Sequence, residues 1–292
     1  MKIAIYSRGI ENEQNKDMVL LLQELNAHNV EPVFFQDFFN QFYSAVNMNG
    51  KYTTFNSAAD LDDSIDCMIS LGGDGTLLDT VTLVQDKGIP VLGINYGRLG
   101  FLANIGKEDL HSAISALVER TYVTEKRTLI HLDADIPIFK GMPYALNEFT
   151  LQKKDSSSMI KIHTYLNGEF LNTYWADGLI VATPTGSTGY SLSCNGPIVF
   201  PDSGSFVITP VAPHNLNIRP IVVPDNNIIS FEVEGRTDSF ICTLDSRRVV
   251  VPKEAQLAVK KEKFAINLIR MNENNFLQTL RNKLSWGLDK RN

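Results

Sequence analysis

A glycine-rich stretch with one carboxylate is the first candidate for chemistry in this 292-residue chain, and its sequence is Gly72-Gly73-Asp74-Gly75-Thr76. Glycine lets backbone N–H groups come close to an anion, and the start of a helix adds partial positive charge, so the stretch suits a phosphate group. A carboxylate in that position repels phosphate. Asp74 therefore points to a reaction, in which it orients a hydroxyl group and accepts its proton, or faces the phosphate through a metal ion. The alternative is an ordinary Asp-Gly turn.

The segments on either side of these glycines have the patterns of a strand and a helix. The run from Ile65 to Leu71 is short and mostly apolar, which is typical of a buried parallel strand. After the glycines, Leu77, Val81 and Val84 recur at helical spacing. The sequence therefore predicts a strand, a glycine turn and a helix start in succession, an arrangement that binds phosphate.

Two polar stretches later in the chain are candidates for binding a sugar and a base. Asn147 and Glu148 fall within a strand pattern that runs from Tyr144 to Gln152, and an amide beside a carboxylate offers donors and acceptors to a vicinal diol. A strand end that faces solvent is the alternative. The second stretch runs from Asp177 to Ser193, where a strand pattern leads into a turn of Thr, Pro, Gly and Ser residues. Tyr190 in this turn is available to stack on a base, although a polar loop without a ligand has the same composition.

The order of the predicted elements divides the chain into two domains and a tail. Up to residue 122 strands alternate with helices, which indicates an α/β domain with a parallel sheet and ligands at the carboxyl ends of its strands. From 123 to 270 short strand patterns follow one another, and Asn167-Gly168 is a strong hairpin signal, so this part is predicted to be mostly β. Residues 271–292 are expected to form a helix or tail that returns to the first domain.

Composition and charge narrow the class of protein. A net charge of −6 disfavours a general nucleic-acid binder. No apolar run reaches the roughly 18 residues that a membrane helix needs, and the first residues lead straight into a strand pattern, so we expect neither a membrane segment nor a signal peptide. Cys67, Cys194 and Cys242 lack metal-site spacing and are interpreted as buried thiols in a reducing cytoplasm. The five histidines are scattered, which disfavours a histidine metal site.

In this order and at these separations, the glycine turn, Asn147-Glu148 and the stretch from Asp177 to Ser193 resemble the motif series of NAD kinases. Diacylglycerol kinases and sphingosine kinases have a similar glycine–aspartate turn, and 6-phosphofructokinases have a related one. The stretch from Asp177 to Ser193 is therefore the motif that is specific to NAD kinases. The resemblance covers nearly the whole chain. It implies a Rossmann-like α/β domain followed by a β-rich domain, which agrees with the pattern above. It also implies transfer of the γ-phosphoryl group of ATP to the 2′-hydroxyl of the adenosine ribose of NAD, giving NADP and ADP.

The resemblance implies roles for individual residues and for cofactors. Asp74 is the expected proton acceptor, and the N–H groups of Gly72, Gly73 and Gly75 are expected to hold the donor phosphate. Contacts with the sugars and base of the dinucleotide are expected from Asn147, Glu148, Asp177, Thr188, Gly189, Tyr190, Ser191, Leu192, Ser193 and the backbone of Ala212. Mg²⁺ or another divalent metal is expected to arrive with ATP. A cytoplasmic homodimer or homotetramer is expected, with no nucleic-acid or membrane partner.

Some positions depart from the family pattern. Gly189 stands where many members have alanine, Asp245-Ser246-Arg247 replaces an Asp-Gly turn, and the bulky Trp175 precedes Asp177. Arg247 or the neighbouring Arg248 is a candidate for added positive charge, with a plain hairpin arginine as the alternative.

The glycine–aspartate turn is also compatible with two other functions. A lipid kinase of the diacylglycerol type would need an apolar acceptor groove or a basic membrane face, and the acidic sequence indicates neither. A dinucleotide-binding sensor without chemistry would not need Asp74. Use of polyphosphate as the donor, use of NADH as the acceptor and feedback by NADPH are left open.

Overall fold

The structure, a computed structural model, describes residues 1–9, 15–46, 52–154, 158–271 and 275–286. Its chain forms two compact units: unit 1 comprises Met1–Lys126 with Ile266–Asn292, and unit 2 comprises Arg127–Ala265. Of the C-terminal segment predicted over 271–292, residues 272–274 and 287–292 lie outside the described part.

Unit 1 is an α/β body built on a parallel sheet. Its own strands are β1 (Lys2–Tyr6), β2 (Glu31–Phe35), β3 (Thr53–Phe55), β4 (Cys67–Leu71), β5 (Val91–Asn95) and β6 (Ile105–Gly106). They lie in the order β5-β4-β1-β2-β3, all parallel, with β6 on the other side of β5. Four helices alternate with them: α1 (Asn15–Ala27), α2 (Gln36–Val46), α3 (Asp74–Val84) and α4 (Leu110–Glu119). The predicted α/β N-terminal domain is confirmed.

The helices of unit 1 form where apolar residues recur on one face, and that face packs on the sheet. In α1 the buried residues are Met18, Leu21 and Leu25, at the spacing that the sequence shows. Every residue of β4 and β5 is buried, as expected for central strands of a parallel sheet that is covered on both faces. The core of this unit therefore follows from the periodicity of its sequence.

Unit 2 is built almost entirely from strands. They are β7 (Val123–Ala134), β8 (Tyr144–Ala145), β9 (Glu148–Lys153), β10 (Ile160–Leu166), β11 (Glu169–Ala176), β12 (Gly178–Ala182), β13 (Ser205–Val211), β14 (Ile221–Pro224), β15 (Ile229–Glu234), β16 (Ser239–Leu244), β17 (Arg247–Pro252) and β18 (Leu257–Arg270). One antiparallel sheet has the order β14-β13-β12-β9-β16-β17. The other has the order β11-β10-β15-β18, with β7 beside β18 and β8 beside β7. A one-turn helix, α5 (Tyr190–Ser193), follows β12. The mostly β prediction is confirmed.

The hairpin predicted at Asn167-Gly168 joins β10 to β11. Both residues have positive φ, 52° and 84°, as a two-residue type I′ turn requires. The end of β18 belongs to unit 1, where Leu268 pairs in parallel with Val91 of β5. Helix α6 (Phe276–Leu284) follows in the same unit and confirms the predicted C-terminal helix.

One predicted strand is wrong. The pattern from Tyr144 to Gln152 forms two strands, β8 and β9, which are separated at Leu146 and Asn147. The N–H groups of these two residues donate to the side chain of Asp245, at 2.9 and 2.8 Å, and so do not take part in a strand ladder. A contact across 98 residues of sequence therefore overrides the local strand preference.

Two further sequence expectations concern membranes and cysteines. Within the described ranges, none of the helices combines the length and the apolar character that crossing a bilayer requires. All three cysteines are unpaired thiols. Cys67 and Cys242 are buried as predicted, but the prediction is wrong for Cys194, which is only half-buried.

Adjacent leucines of α1 provide a test of this packing. Leu21 is fully buried and Leu20 is 52% exposed. Leu21→Ala should lower the free energy of unfolding by about 2–5 kcal/mol, because it removes buried methyl groups and leaves a cavity. Leu20→Ala should change it by less than about 0.5 kcal/mol. Chemical denaturation of both variants measures the difference, and equal effects would contradict the assigned helix face.

Candidate active site

The glycine turn of unit 1 lies at the carboxyl end of β4 and opens α3. Gly72 has a φ of 144°, and a Cβ atom there would lie 2.5 Å from Thr76 Oγ1, so the turn requires glycine at this position. Gly73 caps α3, and Asp74 and Gly75 form its first turn. The first N–H groups of an α-helix have no partner within the helix and carry partial positive charge. The turn therefore has the form of an anion site, as the sequence predicts.

Asp74 is held by the loop that follows β5. Its carboxylate accepts hydrogen bonds from the N–H groups of Phe101 at 2.9 Å, Leu102 at 3.0 Å and Ala103 at 2.9 Å. A Cβ atom on Gly100 would lie 1.8 Å from Asp74 Oδ1, so only glycine lets the loop come this close. The two glycine-rich loops meet because β4 and β5 are parallel neighbours that end at one edge of the sheet. Asp74 is therefore a carboxylate of fixed direction at the mouth of the glycine turn.

A cation beside this turn was not predicted from the sequence. The guanidinium of Arg8 donates to the carbonyl oxygen of Gly75 at 3.0 Å and to both carboxylate oxygens of Asp79. Arg8 follows β1, which is the neighbour of β4 in the sheet. The signal was its position directly after a strand, at the same sheet edge as the glycine turn.

Asn147 and Glu148 of unit 2 occupy the break between β8 and β9. The Oδ1 atom of Asn147 and the Oε2 atom of Glu148 are buried and have no hydrogen-bond partner among the described residues. Burial, and next the charge of Asp245, raise the pKa of Glu148 to about 8, while the N–H of Tyr190 opposes the shift. Buried polar atoms in proteins are nearly always hydrogen-bonded, so this pair is poised for a polar ligand. The interpretation as a solvent-facing strand end is wrong.

The loop after β12 passes directly over this pair. The N–H of Thr183 donates to the carbonyl oxygen of Asn147 at 2.8 Å. A Cβ atom on Gly186 would lie 2.1 Å from that oxygen, and one on Gly189 would lie 3.1 Å from Glu148 Oε2. The structure thus brings the second and third motifs together within unit 2.

Within this loop the predicted residues differ in what their side chains offer. Tyr190 is exposed, and its hydroxyl accepts from Gln152 Nε2 at 3.4 Å. Ser191 is buried and bonded to Thr209 Oγ1 at 2.8 Å, so its hydroxyl already has a structural role. The Thr188 hydroxyl donates to Thr185 O at 3.2 Å. Leu192 is half-buried and Ser193 is exposed in α5.

Asp177 and Ala212 lie at the other end of β12. The N–H of Asp177 donates to the carbonyl oxygen of Val211 at 3.0 Å, and its carboxylate lies 2.6 Å from Lys153 Nζ. Ala182, at the near end of the strand, pairs with Glu148. The two groups of predicted residues are therefore separated by the length of β12, roughly 13 Å at the usual rise per residue. This separation suits an elongated ligand.

Other residues of unit 2 have structural partners. The guanidinium of Arg247 donates to the carbonyl oxygens of Met142 and Tyr144 and lies over the rings of Phe139 and Tyr144, which favours the interpretation as a structural arginine. Trp175 is 46% exposed and stacks on His214, with ring centroids 4.3 Å apart.

Asp245 is the residue of this site whose role the sequence did not reveal. It accepts from the N–H groups of Leu146, Asn147 and Glu148. The only sequence signal was its place in an unusual turn.

Two family models match the chain: the ATP-NAD kinase N-terminal domain over residues 11–122 and the ATP-NAD kinase C-terminal domain over residues 146–271. The chain belongs to the NAD kinase family. An NAD kinase of Flavobacterium psychrophilum is 48% identical over 100% of both chains. That of Cytophaga hutchinsonii is 54% identical over 82% of both, and that of Bacteroides fragilis strain ATCC 25285 is 40% identical over 100% of both.

Solved NAD kinase structures have the same fold. A yeast NADH kinase complexed with NADH superposes with a TM-score of 0.88 at 21% identity and covers 99% of this chain and 88% of that one. An NAD kinase from Archaeoglobus fulgidus in complex with ATP has a TM-score of 0.75 at 24% identity and covers 98% and 99%. At this level of identity the likeness concerns the fold.

Two glycines of the loop over Asn147 test its close approach. Gly186→Ala should destabilise the protein by about 1–3 kcal/mol, because backbone atoms of Asn147 have no room for a methyl group. Gly189→Ala, at a position where NAD kinases often have alanine, should destabilise it less, because a shift of a few tenths of an ångström suffices. Thermal denaturation compares the two, and the reverse order would contradict this geometry.

Proposed function

We propose that this chain transfers the γ-phosphoryl group of ATP to the 2′-hydroxyl of the adenosine ribose of NAD, giving NADP and ADP, with Asp74 as the proton acceptor. As a member of the NAD kinase family the chain is a kinase that phosphorylates NAD with ATP. The observation that carries the assignment of Asp74 is its carboxylate, fixed by three backbone N–H groups at the mouth of the glycine turn.

The chemistry limits what Asp74 does. A ribose hydroxyl has a pKa far above that of any ordinary carboxyl group, so the proton does not leave before attack. Phosphoryl transfer through a loose transition state depends mainly on alignment and on neutralisation of charge. Asp74 therefore orients the hydroxyl toward the phosphorus and accepts its proton late in the transfer. A carboxylate fixed by the loop performs this with little reorganisation.

The donor phosphates are assigned to the glycine turn. The N–H groups of Gly72, Gly73 and Gly75 and the positive end of α3 would bind the phosphate oxygens. Arg8 lies beside the turn, bonded to the Gly75 carbonyl, and its charge is paired with that of Asp79. The N–H groups and the positive end of α3 offset part of the repulsion between Asp74 and the donor.

A divalent metal fits this site as a companion of ATP. The described residues contain no group of three or more His, Cys, Asp or Glu side chains that could hold a metal ion. Mg²⁺ is commonly held by nucleotide phosphates and water with few protein ligands, so a metal carried by ATP needs no such group. We assign Mg²⁺ to this role, in which it would neutralise phosphate charge.

The dinucleotide is assigned to unit 2. Glu148, whose pKa of about 8 keeps it protonated at pH 7, can donate to a ribose oxygen while Asn147 Oδ1 accepts from a hydroxyl. Tyr190 would stack on a base. Asp177 and the Ala212 backbone would bind the remaining sugar and adenine at the far end of β12. The loop formed by Thr188, Gly189, Ser191, Leu192 and Ser193 would border the ligand.

Two further features of the proposal concern the cell and the assembly. A cytoplasmic homodimer or homotetramer remains our prediction. Neither the lipid kinase nor the sensor without chemistry gains support from the family membership.

Replacement of the carboxylate tests the role of Asp74. Asp74→Asn should lower the rate of NADP formation from NAD and Mg-ATP by about 100-fold or more, because the proton acceptor is lost. NAD binding measured by calorimetry should survive. Asp86→Asn makes the same change of charge at an exposed position and should leave turnover unchanged. Unchanged turnover in Asp74→Asn would refute the assignment.

The direction of the carboxylate can be tested without removing it. In Gly100→Ala the new methyl group would displace Asp74, and a displacement of about 1 Å at a reacting group can cost about 100-fold in rate. Gly97→Ala in the same loop has room, since its Cβ atom would lie 3.5 Å from Asn95 Oδ1. Turnover of the two variants should differ accordingly, and wild-type turnover in Gly100→Ala would show that the loop does not direct Asp74.

A further inference from the structure

Asp245 ends a strand of unit 2 in an unusual conformation. It follows β16 with a φ of 52°, in the left-handed region. Its Oδ2 atom accepts from the N–H of Leu146 at 2.9 Å, and its Oδ1 atom accepts from the N–H groups of Asn147 at 2.8 Å and Glu148 at 3.2 Å. Its own N–H donates to the carbonyl oxygen of Glu148 at 3.1 Å. A residue held in this strained region, with both carboxylate oxygens engaged, indicates a geometry that the fold maintains.

The same backbone segment is held from its carbonyl side by Thr183. The Thr183 hydroxyl donates to the carbonyl oxygen of Leu146 at 2.6 Å, and the Thr183 N–H donates to that of Asn147. The N–H of Gly186 donates in turn to the Thr183 hydroxyl at 3.1 Å. The polar backbone groups of residues 146–148 are thus bound on both sides. The oxygens Asn147 Oδ1 and Glu148 Oε2 are buried without a partner among the described residues.

We propose that Asp245 is a positioning residue for the dinucleotide: its carboxylate holds residues 146–148 out of the strand ladder, so that Asn147 and Glu148 present their buried oxygens to the ribose hydroxyls. The inference rests on the proposed function, because it takes the ligand of Asn147 and Glu148 to be NAD. Asp245 itself touches backbone N–H groups and acts through the two residues that it holds.

The charge of Asp245 also acts on Glu148. The groups that face Glu148 are Asp245, the N–H and the phenol group of Tyr190, and the thiol of Cys194, and Arg247 lies close to Asp245. Burial raises the pKa of Asp245, while its three N–H donors and Arg247 oppose the shift. Because N–H groups donate to both oxygens of Asp245, the negative charge is stabilised there, and Glu148 is the carboxyl group that holds a proton. Burial, and next the charge of Asp245, thus raise the pKa of Glu148 and keep it able to donate to a ribose oxygen.

The test is Asp245→Asn in the full chain, assayed for KM and kcat with NAD and Mg-ATP over a range of pH. The new amide nitrogen is a donor, so it cannot accept from the N–H that it faces, and one hydrogen bond to residues 146–148 is lost. The KM for NAD should therefore rise by about tenfold or more, while the KM for ATP changes by less than about twofold. In the wild type the affinity for NAD should fall above about pH 8, where Glu148 ionises. Removing the charge of Asp245 lowers the pKa of Glu148, so this fall should begin at a lower pH in the variant.

A matched control separates positioning from stability. Asp225 is another buried aspartate of unit 2, and its carboxylate is bonded to Lys261 Nζ at 2.7 Å. Asp225→Asn should leave both KM values and the pH at which NAD affinity falls unchanged. A rise in the KM for NAD that is equal in the two variants, or an unmoved pH dependence in Asp245→Asn, would overturn the inference.

Two further measurements keep the outcome decisive. If Asp245→Asn does not fold, Glu148→Gln is tested in its place. An amide cannot ionise, so the fall in NAD affinity above pH 8 should disappear in this variant. A fall that persists would overturn the electrostatic part of the inference.

If the wild type forms no NADP, the proposed function fails. Calorimetry with NAD then compares the wild type with Asp245→Asn, and equal affinity would overturn the inference about Asp245.

Discussion

A carboxylate that accepts three consecutive backbone N–H groups determines the geometry of the candidate site in each unit. Asp74 binds residues 101–103 in unit 1, and Asp245 binds residues 146–148 in unit 2. Hydrogen bonds to a charged acceptor are stronger than neutral ones, and successive N–H groups fix the acceptor in direction as well as in position. In unit 1 the carboxylate is the reactive group and the backbone directs it. In unit 2 the carboxylate is the support, and the backbone carries the groups that meet the ligand.

Around these contacts, regular elements set the spacing. Parallel β4 and β5 end at one sheet edge and bring the glycine turn to the loop that holds Asp74. In unit 2, β12 separates the site of Asn147 and Glu148 from that of Asp177 and Ala212. A buried strand has a fixed rise and little freedom to bend, so it determines the distance between two subsites for an elongated ligand. Glycine is required where a backbone approaches closely, as at Gly100 beside Asp74 and at Gly186 beside Asn147.

The sequence predicts what depends on local pattern. The strand, glycine turn and helix around Asp74, the apolar face of α1 and the Asn167-Gly168 hairpin all follow from periodicity or turn chemistry. The break at Leu146 and the hydrogen bonds of Asp245 to residues 146–148 do not follow from local pattern. The interacting residues are about a hundred positions apart, and each has a plausible local role. Arg8 is a similar case: its relevance depends on β1 and β4 being neighbours. The pKa of Glu148 depends on burial and on one charge, and neither is visible in the adjacent pair Asn147-Glu148.

The division of the chain has a consequence for its synthesis. Unit 2 is a continuous segment, 127–265, whereas unit 1 is made from two segments, 1–126 and 266–292. The strand end that pairs with β5 and the helix α6 both belong to the second segment. A ribosome therefore delivers all of unit 2 before it delivers the last pieces of unit 1. The nascent chain can complete its β domain first, and the edge of β5 at Val91 stays unpaired until Leu268 emerges, because β6 pairs only with the other end of β5.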